Sequence, residues 1–214
     1  MMIMHEISKL ETLLSRYPIL EPCRESIAKA ADMLINCYKQ GGKVLACGNG
    51  GSAADAAHIA GELLKGFMSK RPLSEQEKKG YENHGSLGAM MAQKLQGSLP
   101  AVDLGSSPSI QSAVLNDTDP LLIYAQQVQG LADKGDVLIG ISTSGNAQNV
   151  LCAGIAANEK GAYSLALVGG NGGEMAKHFD LAIVVPSDCT PYVQELHLPV
   201  YHYLCAAVEA ALMP

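Results

Sequence analysis

No two of the six cysteines (23, 37, 47, 152, 189 and 205) fall in a CxxC spacing, and several stand in apolar segments such as VLAC and YLCAAV. A cysteine-based metal site is thereby disfavoured, and buried, reduced thiols of a cytoplasmic protein are the expectation. No apolar run approaches the roughly 18 residues of a membrane span. The opening MMIMHEISKLETLL has no basic stretch ahead of an apolar core, so no signal peptide is expected. Positive charge is short as well: 15 Lys and Arg against 21 Asp and Glu leave −6 at pH 7. With no Lys/Arg stripe to offset that balance, neither nucleic acid nor membrane is an expected partner. Nucleotide signatures are missing too: there is no GxGxxG with an acid about 20 residues on, and no GxxxxGK[ST].

What is present fits one sizeable globular domain. The chain has 214 residues, 48% hydrophobic and 17% charged, enough for a real core and too short for two comfortable domains. Five short apolar runs recur: KVLACG (43–48), PAVDLG (100–105), DVLIGIS (136–142), YSLALVG (163–169) and DLAIVVP (180–186). All but PAVDLG are nearly unbroken in Val, Leu, Ile and Ala, as strands covered on both faces are. Segments with helical periodicity lie between them, roughly 51–66, 108–131 with a break near Asn116-Asp117, and 145–160. Alternating strand and helix predicts βαβ units, hence an α/β three-layer sandwich on a five-stranded parallel sheet. Residues 3–15 and 19–40 read as two amphipathic helices of an N-terminal extension, and 191–211 as a closing helix. Ile27, Ala30, Ala31, Leu34 and Ile35 share one face of the second helix, for which a partner subunit is one natural cover. Residues 66–99 are too long for an ordinary connection. They read as an insertion with some helix, a lid or an interface piece, with Ser74 and Glu77 spaced as a capping box.

Two loops follow buried strands and open helices. In CGNGGSAADAAHIAGELL, the glycines at 48, 50 and 51 follow a strand, with Asn49 among them and Ser52 where the helix starts. That pattern serves a cradle for an anion or sugar hydroxyls, and it equally serves a tight turn capped by Ser52. In DVLIGISTSGNAQNVL, Ser142, Thr143 and Ser144 stand together before a helix N-terminus. A helix cap needs one hydroxyl; three neutral donors aimed at one point suit a phosphate. His58 and Glu62, four apart, share one helical face. They suit a surface hydrogen-bonded pair, a metal site, or a carboxylate base beside a sugar phosphate. In PYVQELHLPVYHYL, bare periodicity aligns Glu195 with His202 better than Gln194, which lies about 80° off, and Pro199 blurs that comparison.

Taken together, GNGGSAADAAHIAGEL, VLNDTDP, GDVLIGISTSGNAQNVL and VQELHLPVYH resemble the sugar isomerase (SIS) domain family, in its phosphoheptose isomerase branch. The resemblance runs in order over most of the chain outside 66–99. It implies a flavodoxin-like sheet and a tetramer with active sites at subunit interfaces. The reaction it implies converts sedoheptulose 7-phosphate to an aldoheptose 7-phosphate through an enediol or enediolate. It implies zinc held by His58, Glu62, Gln194 and His202, and so favours Gln194 over Glu195. Glu62 would be the base and His202 the partner that serves the oxygens. Asn49, Gly50, Gly51, Asn116, Asp117, Ser142, Thr143 and Ser144 match its substrate contacts. Three departures bear on which sugar fits. Ala147 replaces the family's serine, and Gly66 replaces a common basic residue, with Lys65, Lys70 and Arg71 nearby; the third is the 66–99 segment itself. Two other readings use the same scaffold. One is a non-catalytic sugar-phosphate sensor, or a relative of the bacterial protein that binds the replication initiator DnaA; it has no need for the four ligand residues together. The other is epimerisation or aldol chemistry at the same acidic carbon.

Overall fold

The computed structural model describes residues 6–213. All five apolar runs are strands: β1 (Val44–Gly48), β2 (Ala101–Asp103), β3 (Val137–Ser142), β4 (Tyr163–Val168) and β5 (Leu181–Val184). They pair in parallel in the order β2-β1-β3-β4-β5. PAVDLG, the least apolar run, becomes the short edge strand β2. There Pro100 accepts a bond from Val44 N through its carbonyl, and Asp103 Oδ1 takes the Gly105 N–H to close the strand.

The helices are α1 (Leu10–Arg16), α2 (Arg24–Lys39), α3 (Gly51–Leu64), α4 (Glu75–Glu82), α5 (Gly85–Lys94), α6 (Pro108–Asp117), α7 (Ala125–Leu131), α8 (Gln148–Glu159), α9 (Met175–His178) and α10 (Thr190–Leu212). One core packs α1, α2, α3 and α10 on the sheet through Leu13, Ile27, Ile59 and Val200 against Val44, Ile139 and Leu165. The other packs α7, α8 and α9 on the opposite face through Val128, Val150 and Met175 against Leu45, Leu138 and Ala166. The result is the expected three-layer sandwich. Because α3 leaves β1 toward one face and α8 leaves β3 toward the other, the two loops diverge between adjacent strands. That divergence is the switch point at which open parallel sheets bind ligands.

Several expectations are corrected. The expected helix over 3–15 is interrupted: Glu6 and Ile7 are helical, Lys9 is extended (φ −95°, ψ 128°) and α1 starts at Leu10; residues 3–5 lie outside the described residues. Residues 18–23 form a 3-10 turn containing Pro18 and Pro22, so α2 starts at Arg24. Proline has no N–H to give an α-helical ladder. The apolar face of α2 is covered by the chain's own sheet and by α10, so it is not left for a partner. Four of the six cysteines are buried as expected, but Cys152 is half-buried and Cys189 exposed.

Residues 66–99 carry a helical hairpin, α4 against α5, that packs chiefly on itself. Ser74 and Glu77 make the reciprocal capping box. Among the described residues no helix is long and apolar enough to cross a membrane.

Candidate active site

The loop after β1 is shaped by its glycines. Gly50, the residue before α3, has φ +57° and ψ −122°, a conformation that side chains resist. It supplies no side-chain cap, and Ser52 is buried inside the first turn, so the alternative of a Ser52-capped turn does not hold. Ser52 and Ala53 turn their N–H groups back onto the carbonyls of Asn49 and Gly50. The first N–H groups of a helix have no intrahelical acceptor, which leaves the Gly51 amide for a ligand. Gly51 also makes room: a Cβ there would run into the Gln194 carboxamide.

The loop after β3 is tied to this one. Asn49 and Asn149 exchange amide hydrogen bonds at 2.8 and 2.9 Å across 100 residues of sequence. Tyr124 donates to the Gly48 carbonyl at 2.5 Å. Burial pushes its hydroxyl up to about 12, so it stays a donor. Asn49 therefore spends its side chain on holding two loops in register. Ser142 is buried at the end of β3, Thr143 Oγ1 lies 3.5 Å from Thr190 Oγ1 on α10, and Ser144 is exposed. Neither α8, preceded by Ala147, nor α10, preceded by Cys189, has a side-chain cap. The N-termini of α3, α8 and α10, uncapped like those of every α-helix named above but α4, thus lie at this edge of the sheet, and each favours an anion. An open groove of about 680 Å³ runs past Thr143, Ser144, Asn146, Gly170, Asn171 and Ser187.

The second cluster lies farther along α3. His58 Nε2 stands 3.0 Å from Glu62 Oε1 and 3.5 Å from His202 Nε2, with the two imidazole rings edge to face. Tyr201 donates its hydroxyl to Asp55 Oδ1 at 3.1 Å, and His58 Nδ1 lies 3.0 Å from the same phenol oxygen. With Asp55 ionised, the phenol proton is committed to it, so His58 donates from Nδ1; its Nε2 meets the Glu62 carboxylate as a second donor in the imidazolium and is a bare acceptor in the neutral ring. Nε2 then faces a carboxylate oxygen and a second imidazole nitrogen. Burial, and next the neighbouring His58, lower the pKa of His202 against the opposing pull of Glu62, which favours the neutral ring.

Two imidazole nitrogens and a carboxylate are a zinc donor set, and with both rings neutral the three convergent acceptors are what a cation relieves. As the side chains stand, the shell is not closed: among the described residues no group of three or more His, Cys, Asp or Glu is arranged to hold a metal ion. The chemistry of the donors fits; their spacing is that of a hydrogen-bonded pair with a third ring beside it.

Other expected residues fall elsewhere. Gln194 is half-buried against Gly51 and Glu195 is exposed, but the Gln194 carboxamide is not brought to the His58–Glu62–His202 cluster. Asn116 and Asp117 are exposed at the end of α6, bonded to each other at 2.6 Å. Gly51 and Glu62 are about 16 Å apart along the α3 axis, so the loops and the cluster sit at opposite ends of one helix. Of the basic residues near Gly66, Lys65 and Lys70 are exposed while Arg71 is buried on Glu209. Tyr201 and Asn149 escaped the sequence reading. Asp55 had a signal, one turn before His58, but its partner comes from α10.

Comparisons with known proteins point to one family. A model of the SIS domain matches residues 8–97. A phosphoheptose isomerase of a Nitratiruptor species is 40% identical over 191 residues, 89% of each chain. One from Burkholderia pseudomallei is 39% identical over 210 residues, 98% of this chain and 94% of that one. The solved phosphoheptose isomerase of Neisseria gonorrhoeae superposes with a TM-score of 0.71 at 34% identity, over 87% of this chain and 86% of that one. That of Francisella tularensis superposes with 0.72 at 32% over the same shares.

Proposed function

The chain belongs to the phosphoheptose isomerase family, and on that premise we propose that it interconverts sedoheptulose 7-phosphate and an aldoheptose 7-phosphate. The observation that carries the mechanism is the convergence of His58 Nε2, Glu62 Oε1 and His202 Nε2 within hydrogen-bond range. Glu62 takes the proton from C1 of the ketose, leaving an enediolate, and returns it to C2. His202, favoured as the neutral ring, moves the proton between O1 and O2, so carbonyl and hydroxyl exchange places with no net gain or loss of protons. Asp55 and Tyr201 keep His58 in one tautomer. The Gly51 amide and the hydroxyls of Ser142, Thr143 and Ser144 receive the phosphate, while Gln194 on Gly51 serves the sugar.

Zinc belongs to this reading. His58, Glu62 and His202 would hold it, with Gln194 as the remaining donor that the resemblance implies. Bound there, it would polarise the carbonyl–hydroxyl pair and stabilise the enediolate charge. The separation of loops and cluster within one chain, and the exposure of Asn116 and Asp117, support a site completed in a homotetramer. The free thiols support a cytoplasmic setting.

The test is incubation with sedoheptulose 7-phosphate in deuterated water, followed by NMR, with zinc or with chelator. Aldose carrying deuterium at C2 is expected, reduced at least about 100-fold by Glu62→Gln. Tight sugar-phosphate binding with neither product nor exchange would replace the isomerase with the sensor.

A further inference from the structure

Glu62 lies in the last turn of α3, where backbone carbonyls have no intrahelical donor. The helix ends at Leu64, and the next residue, Lys65, is extended (φ −131°, ψ 158°), so no glycine closes it in the usual left-handed way. The donors come from elsewhere. Arg71 Nη1 donates to the Leu63 carbonyl at 2.6 Å and Nη2 to the Glu62 carbonyl at 3.2 Å. A cation at a helix C-terminus also suits the dipole.

Arg71 is placed there with some insistence. Its side chain has no exposure, and it is the one non-glycine among the described residues with positive φ, +42°. Its Nε pairs with Glu209 Oε1 at 2.6 Å. Glu209, from the far end of α10, also accepts the successive N–H groups of Phe67, Met68 and Ser69 at 2.9, 2.7 and 3.0 Å. All three nitrogens of this guanidinium donate to protein acceptors, and strained backbone is tolerated to deliver it.

We propose that Arg71, held by Glu209, is a positioning residue for the isomerase reaction. It closes the C-terminal end of α3, fixes the backbone from which the Glu62 carboxylate projects, and ties the start of the 66–99 segment to that carboxylate. The inference rests on the isomerase reading for its catalytic consequence only. The fork is what matters, because a lysine at this point supplies charge without two divergent donors.

The test uses Arg71→Gly, which accepts the positive φ freely and removes the whole side chain, guanidinium included, beside Arg71→Lys and Glu209→Gln. Amide exchange by mass spectrometry is expected to rise at least tenfold over residues 62–68 in all three, with β1, β3 and β4 as protected as in the parent. With sedoheptulose 7-phosphate, kcat is expected to fall at least tenfold while KM stays within twofold. Methylguanidinium should restore both readouts to Arg71→Gly, and methylammonium neither. Unchanged protection at 62–68, or unchanged kcat in folded Arg71→Gly protein, overturns the proposal, as does a loss of kcat that only follows the folded fraction. If Arg71→Gly does not fold, Glu209→Gln and Arg71→Lys are read by the same two criteria. A parent protein that fails to isomerise sinks the isomerase reading, and the exchange comparison still decides whether Arg71 holds the end of α3.

Discussion

His197 is wholly buried on α10, and neither ring nitrogen has a well-formed hydrogen bond. Burial pushes its pKa down to about 4, opposed only in part by the Val168 backbone. The ring is therefore neutral in the folded chain at pH values where the unfolded chain, titrating near 6.5, has taken up a proton. Stability falls as pH drops below about 6.5 and continues to fall until about pH 4, by up to about 3 kcal/mol from this group. His197→Leu should flatten that slope, and urea unfolding at pH values of about 7, 5.5 and 4.5 measures it. An equal slope in the variant would assign the acid sensitivity to other groups. The contrast between His197 and His58 shows where residue-level reading stops. His58 is legible because Glu62 follows it by one helical turn. Nothing along the chain separates a histidine that will be buried beside Val168 from one that will meet a tyrosine hydroxyl. Tyr201 and His58 lie 143 positions apart and become partners only when α10 docks on α3.

Elements are easier to read than their ends. Hydrophobic runs specify strands directly, because a strand covered on both faces has nowhere to put polar side chains. The ends move where a local rule outweighs periodicity: two prolines turn 18–23 into a 3-10 turn, and α8 begins at Gln148 after an extended Ala147. Ala147 has φ −68° and ψ 105°, the backbone of an N-cap residue without the hydroxyl that would cap. Ala147→Ser should therefore stabilise the protein by about 1 kcal/mol, seen as a higher urea midpoint. Beside Ser142, Thr143 and Ser144 it adds one more donor, so KM for the sugar phosphate should fall rather than rise. Greater stability with a raised KM would mean that the new hydroxyl is spent on the helix and the ligand lies elsewhere.

At the scale of the whole molecule, strand order is not legible from the apolar runs themselves and comes only through the resemblance, whose flavodoxin-like sheet has the observed order. Alternating runs imply parallel strands, but placing β1 between β2 and β3 depends on which face each helix chooses. That choice is settled by packing such as Ile59 and Leu63 on one side and Val150 and Ala153 on the other. It is also what opens the crevice, and so the site's location follows from the fold while its residues come from the loops. Inorganic phosphate at about 20 mM should raise the thermal midpoint by a few degrees, following RT ln(1 + [L]/Kd). Sulfate should do nearly as well and chloride at equal ionic strength should not; equal effects of all three would place the gain in general salt screening.

Every helix from α1 to α10 but α4 begins without a side-chain cap, and at α8 and α10, which open onto the crevice, this has a consequence for how such a chain can change. A selection for heat resistance alone would favour aspartate before α8 and α10, where Ala147 and Cys189 already have extended backbone, and each carboxylate would occupy the place of the sugar's own charge. The protein would then be sturdier and empty. A bound phosphate at these bare ends would take the part of a cap that comes and goes with the ligand, adding stability only while it is bound.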